Sequence, residues 1–238
     1  MDNEVAPAVP WRWHEVGLVV LAAVVITAAL ALLARSVVEI LGLGEQNSLV
    51  SPALYVVGTG FYLALIGAIY AFAVRRSGWA ALGVIRTDLR NYTLVPILYI
   101  VALLSVAALN TLIGQLSGGF ENPQIDALTG GQALDPRELL MLFLLAAVLV
   151  PIAEELFYRG LIYPLIRERF GSWLAISLSA LLFAVTHFIL ILIPGLFVIG
   201  FLLAYLRERS GSIGPSIALH AMQNGLVVLS LNAILAAG

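Results

Sequence analysis

No cysteine occurs anywhere in the chain. That excludes disulfides, a thiol nucleophile, and Cys-ligated zinc or iron–sulfur centres. Lysine is absent too, so all twelve basic residues are arginines, and the net charge is only −2. With no basic tract, nothing points to a nucleic-acid partner. Charged residues make up just 11% of the 238 positions against 61% hydrophobic. Such a balance excludes an ordinary soluble domain. The apolar runs are continuous, not alternating, which argues against a membrane β-barrel. What remains is an all-α, polytopic transmembrane bundle of about seven spans, each needing roughly 20 residues.

The expected order is a single integral membrane domain over 1–238, with spans one to three and an outer loop in 1–134 and a core in 135–238. Residues 1–15 read as a tail whose Trp11 and Trp13 suit the headgroup level. Its acids, Asp2, Glu4 and Glu15, stand against Arg12 alone, which is unlike a cleavable signal peptide. Spans are expected at Val16–Ala34, Pro52–Val74 and Tyr92–Gly114, with a turn over Leu43–Ser51 and an exposed loop over 115–136. Asp135-Pro136-Arg137-Glu138 carries the start signals of a fourth helix, running to about Ile166. Pro151 should kink or loosen it. A fifth span follows at Trp173–Ile193, a short sixth at Pro194–Leu206, and a seventh at Pro215–Ala236.

Alternating seven spans from a cytoplasmic N-terminus gathers Arg12, Arg75, Arg76, Arg86, Arg90, Arg167, Arg169, Arg207 and Arg209 on one side. Only Arg35 and Arg137 fall on the other. The positive-inside rule then predicts a multi-pass protein of the cell (plasma or inner) membrane, with its C-terminus outside.

Within the fourth helix lies Pro151-Ile-Ala-Glu154-Glu155-Leu-Phe-Tyr158-Arg159-Gly160. Fifteen uncharged residues, Leu139 to Ala153, precede its glutamates. Each charge at mid-membrane costs about 2.5–3.5 kcal/mol on insertion scales, so an intramembrane trio is a functional-site hypothesis. At about 1.5 Å rise per residue, Glu154, His187, His220 and Asn224 lie roughly 12–21 Å in from the arginine side. They come from three helices. Glu155 and Arg159 are i, i+4 with the acid first, the favourable order for an ion pair. Glu154 points about 100° away and is left free as a general base. His220 and Asn224 share one helix face and offer N–H donors to an oxyanion. Phe183 lies one turn before His187. Glutamate plus two histidines is also a set that zinc hydrolases use, although no His-Glu-x-x-His spacing is present. A divalent metal such as zinc thus stays open beside the preferred reading, which requires no cofactor.

Glu-Glu-x-x-x-Arg (154–159), Phe-x-x-x-His (183–187) and His-x-x-x-Asn (220–224), in that order, resemble the CAAX-protease and bacteriocin-processing family of intramembrane proteases. Type II CAAX prenyl endopeptidases belong to it. The resemblance covers about residues 135–230, with a weaker echo at Leu82-Gly83 and Arg86. It implies a helical membrane fold with a cavity open to the cytoplasm. It also implies an intramembrane endopeptidase in which Glu154 and His187 activate water, His220 and Asn224 hold the oxyanion, and Glu155 with Arg159 supports the site. The implied partners are the lipid bilayer and a peptide or protein substrate, with membrane-anchored and prenylated chains among the choices. A non-catalytic immunity or peptide-binding protein of the same family is the alternative. A proton-coupled carrier is a third reading, since buried Glu and His also mark proton relays. No internal repeat of the sort many transporters show supports it.

Overall fold

The structure, a computed structural model, describes residues 9–42, 52–119, 122 and 124–237. The first part of the tail and the turn expected over Leu43–Ser51 lie outside the described residues. The rest is helical, with no strand among the described residues. Helix α1 is Trp13–Ile40, α2 Ala53–Ser77, α3 Leu89–Ser117, α4 Gln124–Thr129, α5 Pro136–Val185, α6 Ile193–Ser210 and α7 Gly214–Ala237. Six helical stretches are long and apolar enough to cross a membrane. Their outward faces carry exposed Leu, Val and Ile, as lipid as solvent allows.

Helix α5 starts as its sequence dictates. Asp135 accepts from the backbone N–H groups of Arg137 and Glu138, while Glu138 accepts from the Asp135 N–H, a complete capping box. The helix breaks at Gly171, whose φ of 75° is a conformation glycine takes without steric cost. The chain reverses there. Thr186 returns to Tyr158, and Phe183 packs edge-to-face on the same tyrosine. Residues 172–185 therefore form a second arm antiparallel to residues 136–170. At about 21 Å this arm is shorter than the roughly 30 Å apolar core of a bilayer.

Helix α6 runs back along the second arm. A Cβ on Gly200 would lie 3.1 Å from the Ala180 Cα, so a glycine there permits the close approach. Around the Gly171 reversal, the Glu208 carboxylate accepts from Tyr163, from Arg167 through Nε and Nη2, and from Ser172. The connection from α2 to α3 docks beside this end. Ile213 N–H donates to Gly83 O, Ser212 to Ile85 O and Thr87 to Ser210 O. Arg76 lies 3.9 Å from Glu15. The arginine-bearing connections are thus gathered at one end of the bundle.

Four expectations need correction. Trp11 is not interfacial but buried, with its Nε1–H donating to Leu161 O at 2.9 Å. The loop over 115–136 is not wholly exposed: it contains α4, with Thr129 buried, and Leu134 N–H donates to Asn232. The fifth span ends at Val185, not Ile193, so His187 stands just beyond a helix terminus. There the Thr186 hydroxyl bonds back to the Leu182 and Phe183 carbonyls, and Phe188 adopts a φ of 55°. The sixth span is correspondingly longer, with Pro194 in its first turn, where a missing N–H costs nothing.

Candidate functional site

The glutamate pair sits on a segment of α5 bounded by two π-helical stretches, Leu144–Leu149 and Leu156–Ile162. Their registers are set by proline. Val150 N–H donates to Leu145 O. The next donor due, residue 151, is a proline with no N–H, and Ala146 O is left over. Asn224 Nδ2 supplies the missing donor at 2.9 Å. The pattern repeats one stretch later. Tyr163 N–H donates to Tyr158 O, Pro164 has no N–H to offer, and Arg207 Nε donates to the orphaned Arg159 O at 3.2 Å. Such π-bulges are common at functional sites because they rotate the side chains that follow. The loosening expected at Pro151 takes this form.

Between the two bulges the charges meet. Arg159 Nη1 donates to Glu155 Oε1 at 3.0 Å, both side chains being fully buried. Burying such a pair is costly unless further hydrogen bonds complete it. Arg159 Nη2 donates to Gly200 O at 2.8 Å, and His220 Nδ1–H donates to the same Glu155 Oε1 at 3.0 Å. The guanidinium also lies 4.8 Å from the Phe183 ring centre and 5.7 Å from that of Tyr158, a cation–π arrangement.

Glu154 faces elsewhere, as its 100° offset requires. Its Oε1 accepts from the Tyr62 hydroxyl of α2 at 3.3 Å, and its Oε2 is 3.8 Å from His220 Nε2. Oε2 is buried and has no hydrogen-bond partner within the protein. The four residues Glu154, Glu155, Arg159 and His220 therefore form one chain of direct contacts.

His187 and Asn224 join less directly. His187 donates Nδ1–H to Phe183 O at 2.8 Å, which leaves Nε2 as the nitrogen with the free lone pair. No hydrogen bond or ion pair connects His187 to Glu154 among the described residues. The link is Phe183, whose ring centre lies 4.9 Å from that of His187 and 5.6 Å from that of His220. Asn224 touches the motif through Ala146 O, with one amide proton committed there and a second left over.

Sequence reading missed Tyr62, Arg207, Gly200 and Trp11. None carries a local signal: a lone tyrosine or tryptophan in an apolar span reads as packing or as an interfacial anchor. No three His, Asp or Glu side chains among the described residues converge in a metal-ligating arrangement. Glu155 Oε1 already accepts two hydrogen bonds.

A helical bundle with six stretches long and apolar enough to cross a membrane, holding a buried Glu–Arg–His–Glu chain inside it, is a multi-pass membrane protein. The sequence model of the Rce1-like family, the type II CAAX prenyl endopeptidases, matches residues 136–226. The matched segment contains Glu154, Glu155, Arg159, His187, His220 and Asn224. Comparison with curated proteins and with solved structures gave no match.

Proposed function

We propose that the protein is an intramembrane endopeptidase that hydrolyses a peptide bond with a glutamate-activated water. The observation that carries this reading is the asymmetry of the glutamate pair inside the matched segment. Glu155 is neutralised by Arg159 and tied to His220, while Glu154 has no arginine and accepts only from Tyr62 at 3.3 Å; each keeps one buried oxygen without a partner. Glu154 Oε2 takes a proton from water, and the hydroxide attacks the scissile carbonyl carbon. The proton then passes to the leaving amine as the C–N bond breaks. His187 presents Nε2 as a second acceptor to orient the water. The second amide proton of Asn224 is a donor available to the oxyanion, and His220 Nε2 becomes a second one when the ring carries both protons. Glu155 and Arg159 hold His220 in place. No metal is required on this reading.

The arginine-bearing end faces the cytoplasm under the positive-inside rule, with the N-terminus inside and the C-terminus outside. The substrate is a peptide or a membrane-tethered protein, and C-terminal prenylated segments are the first class to try given the family.

The test is a cleavage assay of purified protein in lipid nanodiscs. The panel holds quenched fluorescent peptides, including a farnesylated C-terminal CAAX peptide, and small membrane proteins. Cleavage by wild type, its persistence in chelator, and its loss in Glu154→Ala and His187→Ala are the expected results. Activity retained by Glu154→Ala overturns the reading. Partner binding that survives Glu154→Gln, without cleavage by wild type, supports a non-catalytic peptide-binding role instead.

A further inference from the structure

We infer that Tyr62 is a positioning residue for Glu154, so that α2, which lies outside the Rce1-like segment, completes the site. This rests on the reading of Glu154 as the base. The two residues are 92 positions apart, and the phenol oxygen stands 3.3 Å from Glu154 Oε1. A carboxylate can only accept here, so the phenol donates. A glutamate side chain has three rotatable torsions, and Glu154 has no cation of its own to hold it, since Arg159 is spent on Glu155. The Tyr62 bond fixes the carboxylate plane through one oxygen and leaves the other, Oε2, turned toward His220 Nε2 and free of hydrogen bonds.

The division of labour balances through the reaction. Oε2 receives the water proton and later returns it to the leaving amine. Oε1 keeps its bond to Tyr62 throughout, so the phenol neither gains nor loses a proton. The tyrosine is itself held, with its ring edge-to-face on Phe61 at 5.0 Å between ring centres. Placing such a donor on a flexible catalytic side chain is how a supporting shell preorganises a base.

The experiment compares Tyr62→Phe with Tyr62→Leu in nanodiscs, using the panel peptide that wild type cuts fastest. Infrared difference spectra against Glu154→Gln report the Glu154 carboxylate stretch whether or not a peptide is cut. Losing a hydrogen bond to a charged group predicts a kcat reduced about 10- to 100-fold in both variants. KM should stay within about twofold of wild type, because the bond touches the base and not the bound peptide. The carboxylate stretch should shift in both. Wild-type kcat and an unmoved carboxylate band in Tyr62→Phe, with only Tyr62→Leu impaired, would assign Tyr62 a packing role and overturn the inference. Cleavage retained by Glu154→Gln strikes down the base reading by itself, and the infrared shift would still report whether Tyr62 holds that side chain.

Discussion

Two glutamates in this protein, Glu208 and Glu154, are both largely withdrawn from solvent, and their surroundings differ in one respect. Glu208 sits at the arginine-bearing end with its lone pairs filled by Tyr163, Arg167 and Ser172. It clamps the reversal at Gly171 and the C-terminal turn of α6 together. Glu154 has one long hydrogen bond from Tyr62 and an oxygen with none. A saturated carboxylate holds a structure, because nothing is left on it to react. An unsaturated one carries a desolvation cost that only a bound water or substrate offsets. Glu155 lies between the extremes, tied to Arg159 and His220 but with Oε2 unpartnered.

The sharpest way to break this contrast is Glu154→Ala. We expect cleavage to fall by about 1,000-fold or more, the upper range of general-base effects. Thermal unfolding in detergent should be little changed, since the side chain has few bonds to lose. Next in size is Arg159→Leu, which strands Glu155 without its cation at full burial. Removing one partner of a buried pair costs about 3–5 kcal/mol, so yield of monodisperse protein and thermal midpoint should both drop. Full stability in that variant would remove the structural half of the comparison.

Glu208→Gln should behave in the opposite sense to Glu154→Ala. Its partner Arg167 is about a third exposed, so the pair is discounted for screening to roughly 1 kcal/mol. Turnover should stay within about twofold of wild type, and a large kinetic loss would contradict a purely structural Glu208. The smallest effect sharpens the backbone account. Asn224→Ala should cost about 1 kcal/mol by orphaning Ala146 O. Pro151→Ala supplies a backbone N–H to that same carbonyl, so the double variant should recover part of the stability that Asn224→Ala loses. Additive losses in the double-mutant cycle would show that the two do not share the carbonyl.

Much of the site was legible in the chain because its signals are local. The Glu155–Arg159 pair follows from a four-residue spacing, the divergence of Glu154 from a one-residue step, and the start of α5 from Asp135, Pro136 and Glu138. Other features have no local signal. The bond from Trp11 spans 150 positions and that from Tyr62 spans 92. The end of the fifth span before His187 is hidden because residues 188–193 are as apolar as the helix before them. Pro151 and Pro164 announce a disturbance in α5, but not that Asn224 and Arg207 are the side chains that repair it.

Reading the residues in order is enough to find the solvent this protein folds in, its all-helical build, and the residues costly enough in lipid to mark a candidate site. Those follow from composition, from periodicity, and from the free energy of charge in an apolar medium. Which groups satisfy one another was chosen by the packing of the helices. Hydrogen bonding in the bilayer core is obligatory but not directional along the chain. A carbonyl freed by proline takes whichever donor the packing of a distant helix brings to it. That packing gave Glu155 an arginine and a histidine, and left Glu154 with a tyrosine and one open oxygen.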